Sequence, residues 1–405
     1  MMIIKVAWRN LWRNKRRTLL VLTSIVVGIS ATLVYDTLGR GMVLQMLNNQ
    51  INTHYSHIQV HKKGYNDNKI VSNFIDNPQM IEKALKSEKS IIHYSPRTLV
   101  YGLIKYASNS SGIYLVGIDP GKEKNITVIS RSILRGSYLS GIKNEIVISE
   151  KLAQKLEVDT GNNIVVMVNT LQGPIGMESF VISGIYRSPN SEFDKMYVYI
   201  PLKSSQELLG LGSRIHEFAM KTDDMGNIAA VAGRLESMLG KNMETLDFKE
   251  LIPTMAYYVD MYDQMMLVFY LIIGIAVMFG SSNAMLMAVL ERIREFGVLM
   301  SIGMRNMRIF RLILTEALIM GFLGTITGFL IGYLIYLPLS SSGIDFSIYA
   351  ESLEKWGIGS VMYPVLELGS ILNSILVVPL AVLAGALYAA RKAIKLQPTE
   401  ALRYV

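Results

Sequence analysis

The stretch 291–333, ERIREFGVLMSIGMRNMRIFRLILTEALIMGFLGTITGFLIGY, constrains the chain more than any other. A charged amphipathic segment runs directly into an apolar helix. That helix carries Gly324, Gly328 and Gly332 at four-residue spacing, which lets two membrane helices approach closely because no side chain holds their backbones apart. The charged part has Arg292, Arg294, Arg305, Arg308 and Arg311 against Glu291 and Glu295. An excess of basic residues in a short loop beside a membrane helix marks the cytoplasmic side. The stretch therefore reads as a short helix on the inner face followed by a helix packed inside a membrane bundle.

Three further apolar runs, at 18–37, 265–290 and 369–390, are long enough to cross a bilayer. With 309–337 they make four spans. Residues 1–17 hold Lys5, Arg9, Arg13, Lys15, Arg16 and Arg17 and no acid, with Trp8 and Trp12 on one helical face. This reads as an interfacial helix on the inside rather than a signal peptide, since the apolar run that follows is too long and no cleavage site follows it. The loop 338–368 is acidic and is expected outside. Arg391, Lys392, Lys395 and Arg403 place the tail 391–405 inside. Both termini are then cytoplasmic, and the large segment 55–252 lies outside between the first two spans. A helical stalk extends from the first span to about residue 54, and another leads from 253 into the second span.

Mean hydropathy is +0.32 and 51% of residues are hydrophobic, which suits a few spans plus a sizeable polar domain. The net charge of +8 does not point to nucleic acid. Residues 41–260 hold 23 basic and 22 acidic side chains, so the surplus lies beside the spans, where it meets lipid headgroups. The sequence has no cysteine, which excludes disulfides and thiolate metal sites. Segment 55–252 alternates as short strands, at 56–61, 99–106, 112–117, 145–149, 164–168, 179–186, 195–200, 216–222 and 243–248, with helices at 78–89 and 227–239. The fold class is thus an α-helical membrane protein with a large α+β domain: a split α/β unit with a β-rich subdomain inserted at about 130–210.

Little enzyme chemistry is visible. GIDPGKE at 117–123 lacks P-loop spacing and reads as a turn; HExxH and Gly-x-Ser-x-Gly are absent. His54, His57 and His61 read as polar surface groups in preference to a metal site. Asp36 and Arg40, at i, i+4, read as an ion pair at the outer interface. Glu316, within the third span, is expected to pair with Arg308, Arg311 or Arg294. Ser24, Gly28 and Thr32 on the first span, and Gly280, Ala284 and Ala288 on the second, read as close-packing faces. Gly297 and Gly303 bracket Val298–Ile302, an apolar face suited to a groove on a cytoplasmic partner.

These residues resemble a known family. The 291–328 stretch, the ending ARKAIKLQPTEALRYV with Pro398, Glu400, Ala401 and Leu402, and the opening VAWRNLWRNKRRTLLVLTSIVVGI are similar to the FtsX/MacB/Lol superfamily of ABC transporter permeases. SHIQVHKKGY, LVGIDP and IVISEKLAQKLEVDTGNNI resemble the periplasmic domains of its lipoprotein-releasing members. The resemblance implies a bacterial inner-membrane permease of the type VII class, with a porter-like domain and a Sabre-like insertion in the periplasm. It implies two copies of a partner ATPase that carry the ATP and Mg, no cofactor on this chain, and a second permease copy or paralogue. It implies a coupling helix seated on that ATPase through Glu291, Arg292, Arg294, Glu295, Gly297, Leu299 and Gly303. An amphiphile such as a lipoprotein is expected between spans one and two, near Met42, Met46, Met265 and Phe269, and a periplasmic carrier or adaptor is a further expected partner. Thr170 to Met177 is short and holds one proline, unlike the Pro-rich hairpin of the carrier-recruiting permease. Efflux of peptides or small amphiphiles, and a signal relay to a periplasmic hydrolase, are the alternative functions.

Overall fold

The computed structural model describes residues 2–394, so Lys395, Pro398, Glu400, Ala401, Leu402 and Arg403 lie outside the described residues. The chain divides into two compact units. Among the described residues one holds 2–43, 259–345 and 361–394; the other holds 44–258 and 346–360.

Helix α1 (Met2–Arg13) is amphipathic, burying Ala7 and Leu11 and exposing Trp8 and Trp12. Helix α2 (Lys15–Gln50) contains the first span and its stalk, and ends in a π-helical turn, Ile51–Tyr55. In the second unit, β1 (Ile58–Lys62) precedes α3 (Pro78–Ser87). Asn77 caps α3 by accepting from the Met80 N–H, and Pro78 starts it without losing a bonded donor. A long hairpin follows, β2 (Ile91–Tyr106) and β3 (Asn109–Ile118). Asp119 then caps the short α4 (Pro120–Glu123), so GIDPGKE is a capped turn. Next come β4 (Ile133–Gly136), β5 (Glu145–Ser149), α5 (Glu150–Leu156), β6 (Asn163–Asn169), β7 (Ile175–Tyr186), α6 (Ser191–Asp194), β8 (Tyr197–Pro201) and α7 (Leu202–Leu209). The unit continues with β9 (Glu217–Thr222), α8 (Ile228–Leu239), β10 (Met243–Asp247) and α9 (Phe248–Leu251).

All ten strands belong to one sheet, ordered β10-β1-β9-β2-β3-β8-β5-β7-β4, with β6 bonded to both β2 and β7. The bonds of β6 close a ring: β2, β3, β8, β5, β7, β6 and back to β2. Inside lies an apolar core that includes Val100, Ile104, Leu115, Ile148, Val166, Phe180 and Val198. The ring draws on residues 97–118 as well as the 130–210 segment, because the second half of β2 pairs with both β3 and β6. The first half of β2 pairs with β9. The β6–β7 turn is short, closed by the Thr170 hydroxyl donating to the Pro174 carbonyl at 2.7 Å.

Where the halves of β2 meet, Arg97 is fully buried. It donates to Glu123 at 2.6 Å, to Glu217 at 3.2 Å and to the His54 carbonyl at 2.6 Å. Buried charges persist only when paired and hydrogen-bonded. The two carboxylates hold the guanidinium charged despite its burial, raising its pKa above the ordinary value.

Helix α10 (Pro253–Glu291) contains the second span, α11 (Ile293–Ser301) is the short amphipathic helix, and α12 (Asn306–Ser342) contains the third span. Helix α12 runs through Pro338, past the expected end of the span. Two-residue strands β11 (Ile344–Asp345) and β12 (Val361–Met362) flank α13 (Ala350–Lys355), and α14 (Leu368–Ile394) contains the fourth span. Four helices are thus long and apolar enough to cross a membrane. Contacts fix their directions. Ile25, Ile29 and Leu33 of α2 meet Gly324, Gly328 and Gly332 of α12 in ascending order, so these two run parallel. Helix α10 runs against α2, with Arg17 at Glu291 and Asp36 at Tyr262.

Candidate coupling surface and membrane cleft

One end of the bundle gathers the charged residues singled out in the sequence. The backbone leaves helical geometry at Arg292, which turns its guanidinium inward beneath α11. Arg292 is only 7% exposed and donates to Glu316 at 3.1 and 3.3 Å. Asn10 of α1 donates to the same carboxylate at 2.6 Å. The expected partners of Glu316, Arg308, Arg311 and Arg294, are therefore corrected to Arg292 and Asn10. The bend between α10 and α11 turns Arg292 inward, 24 positions from Glu316, and leaves Arg294 exposed. Glu295 pairs with Arg13 at 2.8 Å, and Glu291 pairs with Arg17 at 2.6 Å and accepts from Asn14 at 3.4 Å. The Arg13 hydrogen bond holds the Glu295 carboxyl below the usual carboxylate range.

Of the seven residues expected at the ATPase contact, Glu291, Arg292 and Glu295 thus bond within the chain. Gly297 is buried and Leu299 half-buried. Gly303, at φ +96, ends α11 in a left-handed conformation that favours glycine. Exposed around them are Arg294, Val298 and Ile302, the last with 78% of its surface open.

The glycine stripe of α12 is a close approach. A Cβ at Gly324 would fall 2.5 Å from Ile25, at Gly328 2.9 Å from Ile29, and at Gly332 2.9 Å from Leu33. The small residues of α2 do not share this role. A Cβ at Gly28 meets nothing within 4 Å, and neither does one at Gly280 of α10. Ser24, Gly28, Thr32 and Gly280 instead line a cleft between α2 and α10 of about 730 Å³, walled by apolar side chains such as Ile25, Ile273 and Val277. The packing reading of Ser24, Gly28, Thr32 and Gly280 is corrected accordingly; Ala288, further along the same stripe, is buried. Branched side chains on the adjacent face of α2 meet the α12 glycines, with Ile25 shared between the two, and the small face is left open.

Of the residues expected at a substrate cavity, Phe269 lines the cleft and stacks on Tyr35 at 5.0 Å. Met42, Met46 and Met265 are not among its lining residues; Met46 is buried and Met265 exposed. The cleft lies nearer the start of α2, at residues 20–35, than the methionines suggested. The signal that marks it is the pair of facing small-residue stripes.

Past Tyr35, Asp36 is 1% exposed. Its carboxylate accepts from Tyr262 at 3.1 Å and Tyr270 at 2.9 Å, and the Tyr262 hydroxyl also lies 3.0 Å from its backbone carbonyl. Gly39 makes room, since a Cβ there would sit 2.5 Å from the Tyr262 hydroxyl. Arg40 pairs with Asp263 at 2.6 Å and with Glu367. The expected Asp36–Arg40 pair is thus corrected, because neighbouring helices supply both partners. Polar ties bound the cleft at each end, Arg17–Glu291 at one and Asp36–Tyr262–Tyr270 at the other.

Among the described residues no group of three or more His, Cys, Asp or Glu side chains is placed to hold a metal ion. His54 and His61 are buried, not surface groups. His54 packs on Tyr197 at 4.5 Å, and His61 contacts Gln59 and Glu244. His57 contacts Thr222 at 3.0 Å.

Comparison with known proteins fits this arrangement. Residues 18–238 match the MacB-like periplasmic core domain, and residues 266–398 match the FtsX-like permease C-terminal family. The chain is 23% identical over 427 residues to the macrolide export ATP-binding/permease protein MacB of Vibrio parahaemolyticus, covering 98% of this chain but 59% of that protein. It is 22% identical over 403 residues to the lipoprotein-releasing system transmembrane protein LolC of Neisseria meningitidis, covering 96% and 94%. Among solved structures, the periplasmic region of MacB from Actinobacillus actinomycetemcomitans aligns with a TM-score of 0.37 at 16% identity, covering 52% of this chain and 97% of that one. With one family spanning more than half of its length and the other its last three spans, the chain belongs to the FtsX/MacB/Lol superfamily of ABC transporter permeases.

Proposed function

We propose that this chain is the permease part of an ABC transporter that releases lipoproteins from the outer leaflet of a bacterial inner membrane. Both termini lie in the cytoplasm, and the β-rich unit lies in the periplasm as a porter-like domain with a Sabre-like insertion. Two copies of an ATPase bind ATP and Mg, and a second permease copy or paralogue completes the assembly. The exposed side of α11, with Arg294, Val298 and Ile302, seats on the ATPase. Glu291, Arg292 and Glu295 hold the helix in place behind it. No cofactor resides on this chain.

The observation that carries this reading is the cleft between α2 and α10. It is apolar, bounded by ties at both ends, and lined by glycine, serine and alanine where two spans would otherwise interdigitate. Such a groove suits an acyl chain, which needs dispersion contacts and little hydrogen bonding. The test is photocrosslinking from Phe269 and Ile273 in native membranes, with Met265 as the comparison site. Capture of acylated proteins at the first two positions supports release. Capture of unacylated peptides or small amphiphiles alone supports a second reading, efflux, which the likeness to MacB and the short β6–β7 turn favour. Loss of cell-wall integrity with correctly sorted lipoproteins and no captured ligand supports a signal relay.

A further inference from the structure

We propose that Asp36, Tyr262 and Tyr270 form a latch that closes one end of the cleft between α2 and α10, and that Arg40 is the alternative partner that lets it open. The proposal rests on the amphiphile reading of that cleft.

Three observations support it. First, the tie sits where a closure belongs. Tyr35 and Phe269 are the last side chains lining the cleft toward this end; Asp36 and Tyr262 lie beyond them on their helices, and Tyr270 lies next to Phe269. Second, the tie is polar inside an apolar bundle. Ser374 of α14 lies 3.4 Å from the Tyr270 hydroxyl, so three helices converge on one buried carboxylate. Hydrogen bonds of this kind are directional and break together, unlike graded apolar packing.

Third, the chain holds a second set of partners for the same charge. A buried carboxylate cannot be left bare, so opening requires a replacement donor. Arg40 stands one helical turn from Asp36 on α2, at the spacing that favours an ion pair. In the closed arrangement Arg40 is engaged by Asp263 and Glu367, both half-exposed and able to take up water when released. Exchange therefore runs between two complete sets. In one, Asp36 binds the tyrosines and Arg40 binds Asp263 and Glu367; in the other, Asp36 binds Arg40 and α10 swings free. Two satisfied arrangements separated by an unsatisfied one make a two-state element.

The sequence has no cysteine, so an introduced pair is unique. Spin labels at Leu38→Cys and Gln264→Cys, in the full chain in lipid nanodiscs with its ATPase, report the separation of α2 and α10 by pulsed dipolar spectroscopy. The double substitution Tyr262→Phe/Tyr270→Phe keeps ring packing and removes both hydroxyls. It is expected to raise the long-distance population about tenfold, as loss of hydrogen bonds to a charged group allows. Asp263→Asn/Glu367→Gln releases Arg40 from its closed-state partners, frees it for Asp36, and is expected to shift the distribution in the same direction. If either double substitution leaves the distribution unchanged, the latch is overturned. Tyr270→Phe alone is the milder variant should the double one fold poorly, and it must shift in the same direction as the pair. A distribution that responds to the tyrosine changes but never to nucleotide keeps the latch and counts against the transporter reading.

Discussion

Arg292 and Glu316, 24 positions apart, form a buried ion pair at 3.1 Å that fastens the start of α11 to the body of α12. Each is less than a tenth exposed. Such a pair contributes little net stability compared with apolar residues, yet removing one partner strands a charge. Glu316→Ala is therefore expected to destabilise the bundle by about 3–5 kcal/mol, and Glu316→Gln by less, since the amide keeps the acceptor for Asn10. Thermal unfolding of the full chain in mild detergent measures both. Equal losses for the two variants would show that the charge carries the whole effect and that the retained acceptor contributes nothing.

The glycine stripe gives a second expectation with an internal control. Gly328→Ala places a methyl against Ile29 and the α2 backbone, and overpacking of this kind costs about 1–3 kcal/mol. Gly28→Ala and Gly280→Ala add the same methyl in open space, so both should leave the melting temperature nearly unchanged. Helix propensity is improved in all three, which isolates the steric difference.

In the β-rich unit, Arg97→Met removes the cation from between Glu123 and Glu217. Two carboxylates are then buried side by side without a counter-charge. We expect a loss of at least about 3–5 kcal/mol, read as early urea unfolding of the unit by limited proteolysis. Arg97→Met combined with Glu123→Gln and Glu217→Gln should recover most of it. Failure to recover would place the effect in packing rather than charge.

Two groups in that unit give a pH dependence of opposite signs. Burial pushes the Asp194 carboxyl from 3.8 up to about 7. The folded state then binds more protons than the unfolded one between those values, so stability falls as pH rises through that window and is flat above it. The penalty above pH 7 is on the order of 4 kcal/mol. Burial lowers His57 from 6.5 to about 4, so its contribution is lost as pH falls through that window. Asp194→Asn is expected to raise stability at pH 8 and to leave the opposite slope of the buried histidines His54, His57 and His216. Hydrogen exchange in β5 and β8 across pH 5 to 8 measures this; an unchanged slope would show that Asp194 stays ionised.

Four long apolar helices and most strands were legible because they rest on local pattern. Apolar length marks the spans, and alternation marks strands such as β5. The helix caps Asn77 and Ser149 are likewise local, since each bonds to a neighbouring backbone N–H. What the sequence hid depends on which face meets which. Gly28 and Gly324 stand in the same small-residue spacing, yet one opens on the cleft and the other touches Ile25, and nothing within either helix distinguishes them. The partners of Glu316, Asp36 and Arg40 were misjudged for one reason. Sequence proximity offers a partner for Asp36 and Arg40 and a choice of arginines for Glu316, while the folded bundle selects partners from other helices. The first half of β2 was missed because His93, Tyr94, Ser95 and Pro96 do not alternate, and pairing with β9 holds them extended regardless.

The contacts between α2 and α12 repeat with a fixed step: Ile25 on Gly324, Ile29 on Gly328, Leu33 on Gly332. A rail with evenly spaced notches has more than one seat. Sliding α2 by four residues, about 6 Å along its axis, would put two of the three knobs back into glycine notches. The same interface that holds these helices tightly in place thus also fixes the stride by which one would move past the other.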